Sequence, residues 1–179
     1  MKRTAFKISQ IALMVCLISV CAQLTVPLGG VPMTLQTFMI ALCGYMLGPI
    51  KGMLSVLIYL ALGTVGLPVF TGFGASFAWL IGPTGGFLFG FLPFVFLCGL
   101  GKGKSFPVFT SLALFGLFLC HGMGVLWFSA VTANPLFSSF LFTSLPYLLK
   151  DILSVIFAKI LTDKIRQRAP SLFLFRDAS

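Results

Sequence analysis

The chain has 179 residues, of which 59% are hydrophobic and only 8% are charged. A soluble domain of this size still exposes about a third of the surface of its unfolded chain, so it cannot hide this much apolar surface from water. The composition therefore excludes a soluble globular protein and indicates an integral membrane protein. Long apolar runs, without the polar–apolar alternation of barrel strands, predict that the spans are helical.

The net charge of +9 does not indicate nucleic-acid binding. The basic residues lie at the chain ends and in short connections, where membrane topology accounts for them. The five cysteines all lie within apolar runs and form no Cys-x-x-Cys pair. We interpret them as small packed residues rather than as metal ligands or disulfides, and we predict no metal site.

Six apolar segments follow one another along the chain, and we interpret each as a transmembrane helix. The first follows a basic N-terminus but is long enough to cross a bilayer, which takes about 20 residues. We therefore interpret it as a retained span rather than a cleaved signal peptide. A turn with two prolines at 27–32 ends it, and a charged tail from Thr162 follows the last span. The sequence predicts a single all-α transmembrane domain over residues 1–179, with spans at about 8–26, 34–47, 50–65, 86–101, 106–130 and 146–162.

The distribution of charge predicts the orientation of this domain. Eleven of the twelve Lys and Arg residues lie at the N-terminus, at Lys51, in the 102–104 turn or near the C-terminus, all on one side of a six-span arrangement. The connections on the other side, 27–33, 66–86 and 131–146, contain none. Cytoplasmic connections carry an excess of Lys and Arg, so we predict that both termini are cytoplasmic and that the protein lies in the cytoplasmic membrane, surrounded by lipid.

The segment 66–86, here called the glycine-rich segment, lies on the outer side between two spans. It contains six glycines and two prolines, so regular helix is disfavoured through most of it. It is also uncharged and rich in aromatic residues, unlike a water-exposed loop. Irregular backbone between membrane spans is tolerated only where protein or an aqueous cavity covers it. We therefore predict that this segment is a lid or a binding loop.

Two groups of residues near the outer side are candidates for ligand contact. Thr34 and Gln36 begin the second span, where a side-chain amide can bind a ligand's donors and acceptors or join two helices. The glycine-rich segment adds Thr71, Phe73, Trp79 and Thr84. These residues can line an apolar ligand cavity, or they can form an interfacial aromatic belt.

Lys150 and Asp151 lie near the outer end of the sixth span, where topology gives no reason for charge. Ionisable groups at membrane depth cost a few kcal/mol each on insertion scales, so they usually face a partner, a cavity or a ligand. Neighbouring positions on a helix are about 100° apart, so we do not expect these two side chains to pair with each other. The alternative to a functional role is a local charge pair or a lysine that reaches the interface.

The sequence does not indicate an enzyme. The turn GKGKS resembles the end of a P-loop, but that pattern requires glycine where the chain has Cys98, and it requires a preceding strand. His121 is the single histidine and has no carboxylate neighbour in sequence. No Ser/His/Asp set, metal-ligand cluster or paired carboxylates are present, so we expect neither catalysis nor a cofactor.

Four motifs in order resemble the BioY family, the biotin-specific substrate-binding (S) components of energy-coupling factor (ECF) transporters. They match densely over residues 20–95 and more thinly over 145–160. The motifs are Val31-Pro32-Met33-Thr34-Leu35-Gln36 with Leu47-Gly48-Pro49-x-x-Gly52; Tyr59-Leu60-x-x-Gly63-x-x-Gly66-Leu67-Pro68-Val69-Phe70; Gly82-Pro83-Thr84-Gly85-Gly86-Phe87; and Pro146-Tyr147 with Asp151.

The resemblance implies a six-helix S-component bundle that opens outward and holds biotin beneath the glycine-rich segment. It also implies partners that supply the energy: one transmembrane coupling subunit and two ATP-binding subunits. Small residues of the first helix would face the coupling subunit, here Ala12, Cys16 and Ser19. The biotin-binding residues that we expect are Thr34, Gln36, Phe70, Thr71, Phe73, Trp79, Thr84, Tyr147, Lys150, Asp151 and Ser154.

The sixth helix departs from the family pattern, which reads Asp-x-x-Lys. Three residues after Asp151 this chain has Ser154. Lys150 precedes Ser154 by four residues, so the two share a helix face about one turn apart. We hypothesise that the Lys150 side chain reaches the family's charge position, while Asp151 accepts hydrogen bonds from the ureido N–H groups of biotin.

The sequence thus predicts a high-affinity biotin-binding subunit that delivers biotin across the membrane with an ATP-powered module. The altered sixth helix leaves open an S component for another small vitamin. A structural membrane protein without a ligand is a third possibility.

Overall fold

The computed structural model describes residues 2–26 and 31–169, and this part of the chain is mostly helical. It contains eight α-helices, two short strands and one turn of 3-10 helix at Thr71–Phe73. In chain order, the helices and strands are α1 (Lys2–Gln23), β1 (Thr25–Val26), β2 (Met33–Thr34), α2 (Gln36–Leu47), α3 (Pro49–Thr64), α4 (Ala78–Ile81), α5 (Gly85–Leu100), α6 (Phe106–Thr132), α7 (Leu136–Thr143) and α8 (Leu145–Arg168).

Two helices in the described residues are long and apolar enough to cross a membrane, Thr4–Gln23 within α1 and Phe106–Thr132, which is α6. A third span results if α7 and α8, which meet at a bend of 48°, form one broken span. Helices α2, α3 and α5 are apolar but shorter. Each of the six apolar segments of the sequence thus contains a helix, although the helices differ in length.

Two features differ from the prediction: a pair of strands, and a helix within a predicted connection. Strands β1 and β2 pair antiparallel, with Thr25 opposite Thr34, and they flank the predicted break at 27–32. Helix α7 lies within the 131–146 stretch that was expected to be a plain connection. The strands have two residues each and α7 has eight. Serine and threonine residues in α7 and the proline before it make this helix hard to recognise from the sequence. Residues 27–30 of the predicted break and the tail from residue 170 lie outside the described residues.

Helix α2 lies at the centre of the bundle and contacts α1, α3, α5 and α8. Ten of its twelve residues are buried, so it needs no polar face. Around it pack the largest fully buried side chains, which include Tyr45, Tyr59 and Phe94. Large apolar residues on the periphery, such as Phe118 and Phe137, are more than two-thirds exposed. This exposure is expected of a surface that contacts lipid rather than water.

The motif around Gly48 and Pro49 is explained by close packing. Gly48 has a φ of +86°, which favours glycine, and it ends α2 directly before Pro49 begins α3. Gly99 of α5 lies against this junction, where a Cβ atom would be 2.4 Å from the Pro49 nitrogen. Gly44 is similarly close to the Val95 carbonyl oxygen. These glycines let α2, α3 and α5 approach each other closely, as small residues do in membrane bundles.

The Gly99→Ala substitution is predicted to lower the unfolding temperature of the purified protein. The added methyl group meets rigid backbone, and overpacking of this kind costs about 1–3 kcal/mol. Gly122→Ala in α6 is the matched control, because a Cβ atom there meets nothing within 4 Å. Thermal unfolding in detergent should separate the two variants. Equal unfolding midpoints for Gly99→Ala and the unsubstituted protein would contradict the close packing of Gly99 against the junction of α2 and α3.

Candidate ligand-binding site

A cavity of about 80 Å³ lies between the N-terminal parts of α2, α5 and α8 and the middle of α6, beneath the glycine-rich segment. Apolar and aromatic side chains form most of its wall, with a few polar groups among them. The lining residues are Val31, Pro32, Thr34, Gln36, Phe70, Thr71, Trp79, Thr84, Phe87, Leu88, Phe91, Cys120, His121, Thr143, Tyr147 and Asp151. A mostly apolar enclosure with a few convergent polar groups is typical of small-molecule sites.

Eight of the eleven residues expected to bind the ligand line this one cavity. The other three are Phe73, Lys150 and Ser154. Phe73 is 71% exposed at the surface of the glycine-rich segment. Ser154 faces a different groove, which it lines together with Leu35. Lys150 is not part of the cavity wall, but it contacts two residues that are.

Lys150 and Asp151 form a buried ion pair. The Lys150 Nζ atom is 2.5 Å from Asp151 Oδ1, and it also donates a hydrogen bond of 2.8 Å to the Thr34 carbonyl oxygen. The expectation that these neighbours do not pair is therefore wrong, because the lysine side chain is long enough to turn back along the helix. The ammonium group links α8 to β2 and neutralises the carboxylate beside the cavity. Lys150 and Ser154 do not meet at a shared position in the site.

His121 is an ionisable residue of the site that sequence reasoning missed. Its Nε2 atom lies 3.1 Å from Asp151 Oδ2, and its Nδ1 atom lies 2.9 Å from the Ser144 hydroxyl oxygen. The Phe87 ring meets the imidazole edge-to-face, with ring centroids 6.0 Å apart. The carboxylate neighbour is absent from the local sequence because it lies 30 residues away on another helix. An ionisable residue within an apolar run was the available signal.

The opposite wall depends on Tyr59 of α3, which is fully buried. The Gln36 side-chain amide donates to the Tyr59 hydroxyl at 2.8 Å, and that hydroxyl donates to the Val69 carbonyl oxygen at 3.3 Å. The Gln36 amide is thereby oriented at the cavity wall. Thr34 accepts a hydrogen bond from the Gln36 backbone N–H at the start of α2. Its hydroxyl hydrogen is still able to bind a ligand, since a hydroxyl both donates and accepts.

The glycine-rich segment lies over the cavity as an irregular cover. The Phe70 ring packs on Gly63, where a Cβ atom would be 2.1 Å from the ring. The Trp79 ring packs on Gly74 in the same way, at 2.2 Å. Both aromatic side chains can turn inward only because these two positions are glycine. Phe70 is almost fully buried, and its ring lies 6.3 Å from that of Trp79.

Two side chains from outside the segment hold the cover in place. Gln23, at the end of α1, donates to the Phe70 carbonyl oxygen and accepts from the Phe73 backbone N–H, each at 2.8 Å. Trp127 of α6 donates to the Gly82 carbonyl oxygen at 2.9 Å. Phe73 itself has a φ of +58°, an unusual value for a residue with a large side chain. The hydrogen bond that the Phe73 N–H donates to Gln23 compensates part of the cost of this conformation.

The three residues expected at a partner interface lie along α1. Ala12 and Cys16 are exposed and line an apolar groove between α1 and α3, together with Ile58 and Leu62. Ser19 is half-buried, and its hydroxyl donates to the Val15 carbonyl oxygen within the helix. Two of the three residues therefore belong to one exposed groove.

The described residues contain no group of three or more His, Cys, Asp or Glu side chains that could hold a metal ion. The polar groups of the cavity are instead one carboxylate, one imidazole, one amide and several hydroxyls. This set can donate and accept hydrogen bonds around a neutral polar ring system. The apolar walls can cover the rest of such a ligand.

Comparison with known proteins agrees with this architecture. A sequence model of the BioY family matches residues 1–171. The probable biotin transporter BioY of Pyrococcus horikoshii is 39% identical over 162 residues, which are 90% of this chain and 97% of that protein. The biotin transporter BioY of Rhodobacter capsulatus is 35% identical over 166 residues, which are 84% of this chain and 87% of that protein. The biotin transporter BioY of Thermotoga maritima is 44% identical over 111 residues, which are 61% of this chain and 66% of that protein.

A solved structure shares the fold. It is the crystal structure at 2.1 Å of the S-component for biotin from an ECF-type ABC transporter. The two chains superpose with a TM-score of 0.85 at 28% identity, and 93% of each chain is covered. The fold is therefore that of a membrane-embedded S component of an ECF-type transporter. The family match covers nearly the whole sequence, and the chain belongs to the BioY family.

The Gln23→Ala substitution is predicted to loosen the cover, because it removes both hydrogen bonds that join α1 to the segment. Amide hydrogen exchange at Phe73 should accelerate by about tenfold, the factor expected when a bond of about 1.4 kcal/mol is lost. Gln23→Glu keeps the acceptor for Phe73 but loses the donor to Phe70, so the exchange at Phe73 should stay close to that of the original protein.

Ser9→Ala is the control for this experiment, because the Ser9 hydroxyl bonds only within α1, to the Ala5 carbonyl oxygen. Unchanged exchange at Phe73 in Gln23→Ala would show that Gln23 does not hold the cover.

Proposed function

We propose that this chain is the substrate-specificity subunit of a biotin uptake system, and that it binds biotin in the cavity beneath the glycine-rich segment. The observation that carries this proposal is the convergence of eight residues from separate motifs on one cavity. The relatives named as biotin transporters support the choice of ligand. The function is transport rather than catalysis.

In this proposal, the polar groups bind the bicyclic head of biotin and the aromatic groups cover it. Asp151 accepts a hydrogen bond from a ureido N–H, and Gln36 and the threonine hydroxyls bind the remaining polar atoms. Phe70, Trp79 and Phe87 pack against the apolar parts of the ligand. The Lys150 ammonium group pairs with the carboxylate and bonds the Thr34 carbonyl oxygen, so it places a positive charge beside the cavity.

The cavity is smaller than a vitamin needs, since small-molecule pockets usually measure about 300–1,000 Å³. Biotin therefore enters only if the cover moves. The glycine-rich segment is suited to such movement, because it joins α3 and α5 through irregular backbone with glycines at positive φ, such as Gly66 and Gly72. In our proposal, the cover opens to the outside, closes over biotin and thereby commits the ligand to transport.

We also propose that the single domain crosses the cytoplasmic membrane six times, with both termini in the cytoplasm. The positive charge at Lys51, in the 102–104 turn and near the C-terminus supports this orientation. Helix α2 is only about 18 Å long, at 1.5 Å per residue. The glycine-rich segment and the paired strands at its outer end would cover the remaining depth, where irregular backbone is tolerated because protein buries it.

Energy would come from partner chains: one transmembrane coupling subunit and two ATP-binding subunits. The supporting observation is the exposed groove between α1 and α3, lined by Ala12 and Cys16, with Ser19 one turn further along α1. Small side chains allow a partner helix to approach closely. The neighbouring structure, described as an S-component of an ECF-type ABC transporter, supports this type of assembly.

Titration calorimetry on the purified protein is predicted to give nanomolar-range binding of biotin and no heat with riboflavin, thiamine or niacin. Tight binding of another vitamin instead of biotin would assign the chain to a different substrate. If no vitamin binds and none shifts the thermal unfolding midpoint, the protein is a structural membrane protein and the proposal fails.

Asp151→Asn and Lys150→Ala are each predicted to weaken biotin binding by about tenfold to a hundredfold. The first removes a charged acceptor, which contributes about 1.5–3 kcal/mol, and the second leaves the carboxylate unpaired. The Lys159–Asp163 pair on the same helix is a matched control, because its Nζ and Oδ2 atoms are also 2.5 Å apart but neither residue lines the cavity.

Lys159→Ala should leave the dissociation constant within about twofold, because a change at a separate site, away from the cavity, acts independently of ligand binding. Unchanged biotin affinity in Lys150→Ala would refute the role of Lys150.

Cys16→Trp is predicted to abolish biotin uptake by cells that contain the complete transporter, while the purified protein still binds biotin. The indole would fill the groove that the coupling subunit needs. Phe115→Trp in α6 is the control, because Phe115 is 54% exposed and lies on a helix away from that groove. Normal uptake in Cys16→Trp would exclude this face of α1 as the docking surface.

A further inference from the structure

His121 occupies the position between the ligand cavity and the lipid-facing surface. It lines the cavity on one side and, on the other, an apolar groove between α6, α7 and α8 whose wall includes Leu117, Phe140 and Ile152. The residue is only 8% exposed, although it lies midway along a span-length helix. A histidine in such a place is costly unless its nitrogens are bonded, so its contacts require an explanation.

Both ring nitrogens of His121 are engaged, and the chemistry of the partners fixes their roles. The Asp151 carboxylate, when ionised, can only accept hydrogen bonds, so Nε2 carries the proton and donates to Oδ2. In the neutral ring, Nδ1 then accepts from the Ser144 hydroxyl. Ser144 is fully buried at the bend between α7 and α8. The His121 imidazole thus links the Asp151 carboxylate to the Ser144 side chain at this bend.

Asp151 is held from two sides as a result. Lys150 pairs with Oδ1 and His121 bonds Oδ2, so the plane of the carboxylate cannot rotate without the loss of one contact. Oδ1 is buried and receives no well-directed hydrogen bond from the described residues, although the ammonium group is close. This oxygen therefore keeps acceptor capacity. Asp151 lines the cavity, so a ligand donor there can use it.

We propose that His121 is a positioning residue for ligand recognition, which orients the Asp151 carboxylate so that it accepts from the ureido N–H of biotin. The proposal rests on biotin being the ligand. His121 need not touch the ligand itself. It acts through Asp151, and the Phe87 ring, which meets the imidazole edge-to-face, limits the movement of the ring.

The consequence is a specific pattern of ligand selectivity. If His121 acts only through Asp151, its loss affects the ureido end of biotin and leaves the carboxylate end unaffected. A purely structural role would weaken every ligand of the cavity alike. The difference can be measured with biotin, biotin methyl ester and the two biotin analogues that carry a methyl group on one ureido nitrogen.

The test uses titration calorimetry on the full-length protein in lipid nanodiscs. His121→Phe keeps an aromatic ring beside Phe87 but loses both hydrogen bonds, and it should weaken biotin and its methyl ester by the same factor, about tenfold to a hundredfold. Of the two N-methyl analogues, the one methylated at the nitrogen that faces Asp151 is identified by its weaker binding to the unsubstituted protein. The His121→Phe substitution should weaken the binding of that analogue little further.

Three further variants keep the test valid if His121→Phe does not fold. His121→Gln places an amide nitrogen near the position of Nε2, so it should recover most of the affinity lost in His121→Phe. His121→Asn is too short to reach Asp151 and should not. Ser144→Ala removes the partner of Nδ1 and should weaken biotin by a smaller factor than His121→Phe does. Thermal unfolding without ligand reports the integrity of each variant, and the Lys159→Ala protein is the common control.

The inference is overturned if His121→Phe binds biotin as tightly as the unsubstituted protein, if His121→Gln and His121→Asn behave alike, or if the analogue methylated at the nitrogen that faces Asp151 loses as much affinity as biotin does. Should His121→Phe not fold, the comparison of glutamine, asparagine and Ser144→Ala decides in the same way. Failure of the unsubstituted protein to bind biotin would instead refute the proposed function, so the two failures are distinguishable.

Discussion

The structure depends on how the negative charge of one buried carboxylate is compensated. Asp151 is 4% exposed within a helix bundle whose surroundings are hydrocarbon, where an unpaired charge costs several kcal/mol. Three parts of the chain meet around it: Lys150 beside it on α8, His121 on α6 and, through the lysine, the carbonyl of Thr34. The buried carboxylate and the groups that compensate its charge therefore lie together at one place in the bundle. Removal of one partner weakens the compensation of this charge, so β2, the middle of α6 and the N-terminal part of α8 are coupled through a single group.

The cavity is shaped by glycine as much as by the residues that line it. Gly63 and Gly74 leave room for the rings of Phe70 and Trp79, and Gly86 and Gly90 let α5 approach α6, where a Cβ atom would meet Trp127 or Cys120 at less than 3 Å. The aromatic cover is thus fitted against backbone rather than against flexible side chains. Ring positions fixed in this way lose little further conformational freedom when a ligand binds, and preorganisation of this kind favours affinity.

The sequence predicted the membrane class, the positions of the helical segments and half of the cavity residues, because apolar runs and family motifs are local signals. The pairing of Lys150 with Asp151 was not predicted, since helix geometry alone neglects the reach of a four-carbon side chain. His121 was missed because its partner lies on another helix, 30 residues along the chain. Ser154 was expected in the site by analogy with the family's lysine position, yet its side chain faces another groove. Side-chain direction and contacts between distant segments are tertiary information that no local pattern contains.

Helix α1 connects two places that the sequence alone does not relate. Its middle presents Cys16 to an exposed groove, and its last residue, Gln23, holds the backbone of the glycine-rich segment at Phe70 and Phe73. A continuous helix transmits displacement along its axis, because its backbone hydrogen bonds resist stretching. A partner that tilts or pulls α1 at the groove therefore also pulls on the cover, some 10 Å away at about 1.5 Å per residue. Mechanical linkage of this kind would let assembly on one face of the protein control access to the cavity at its outer end.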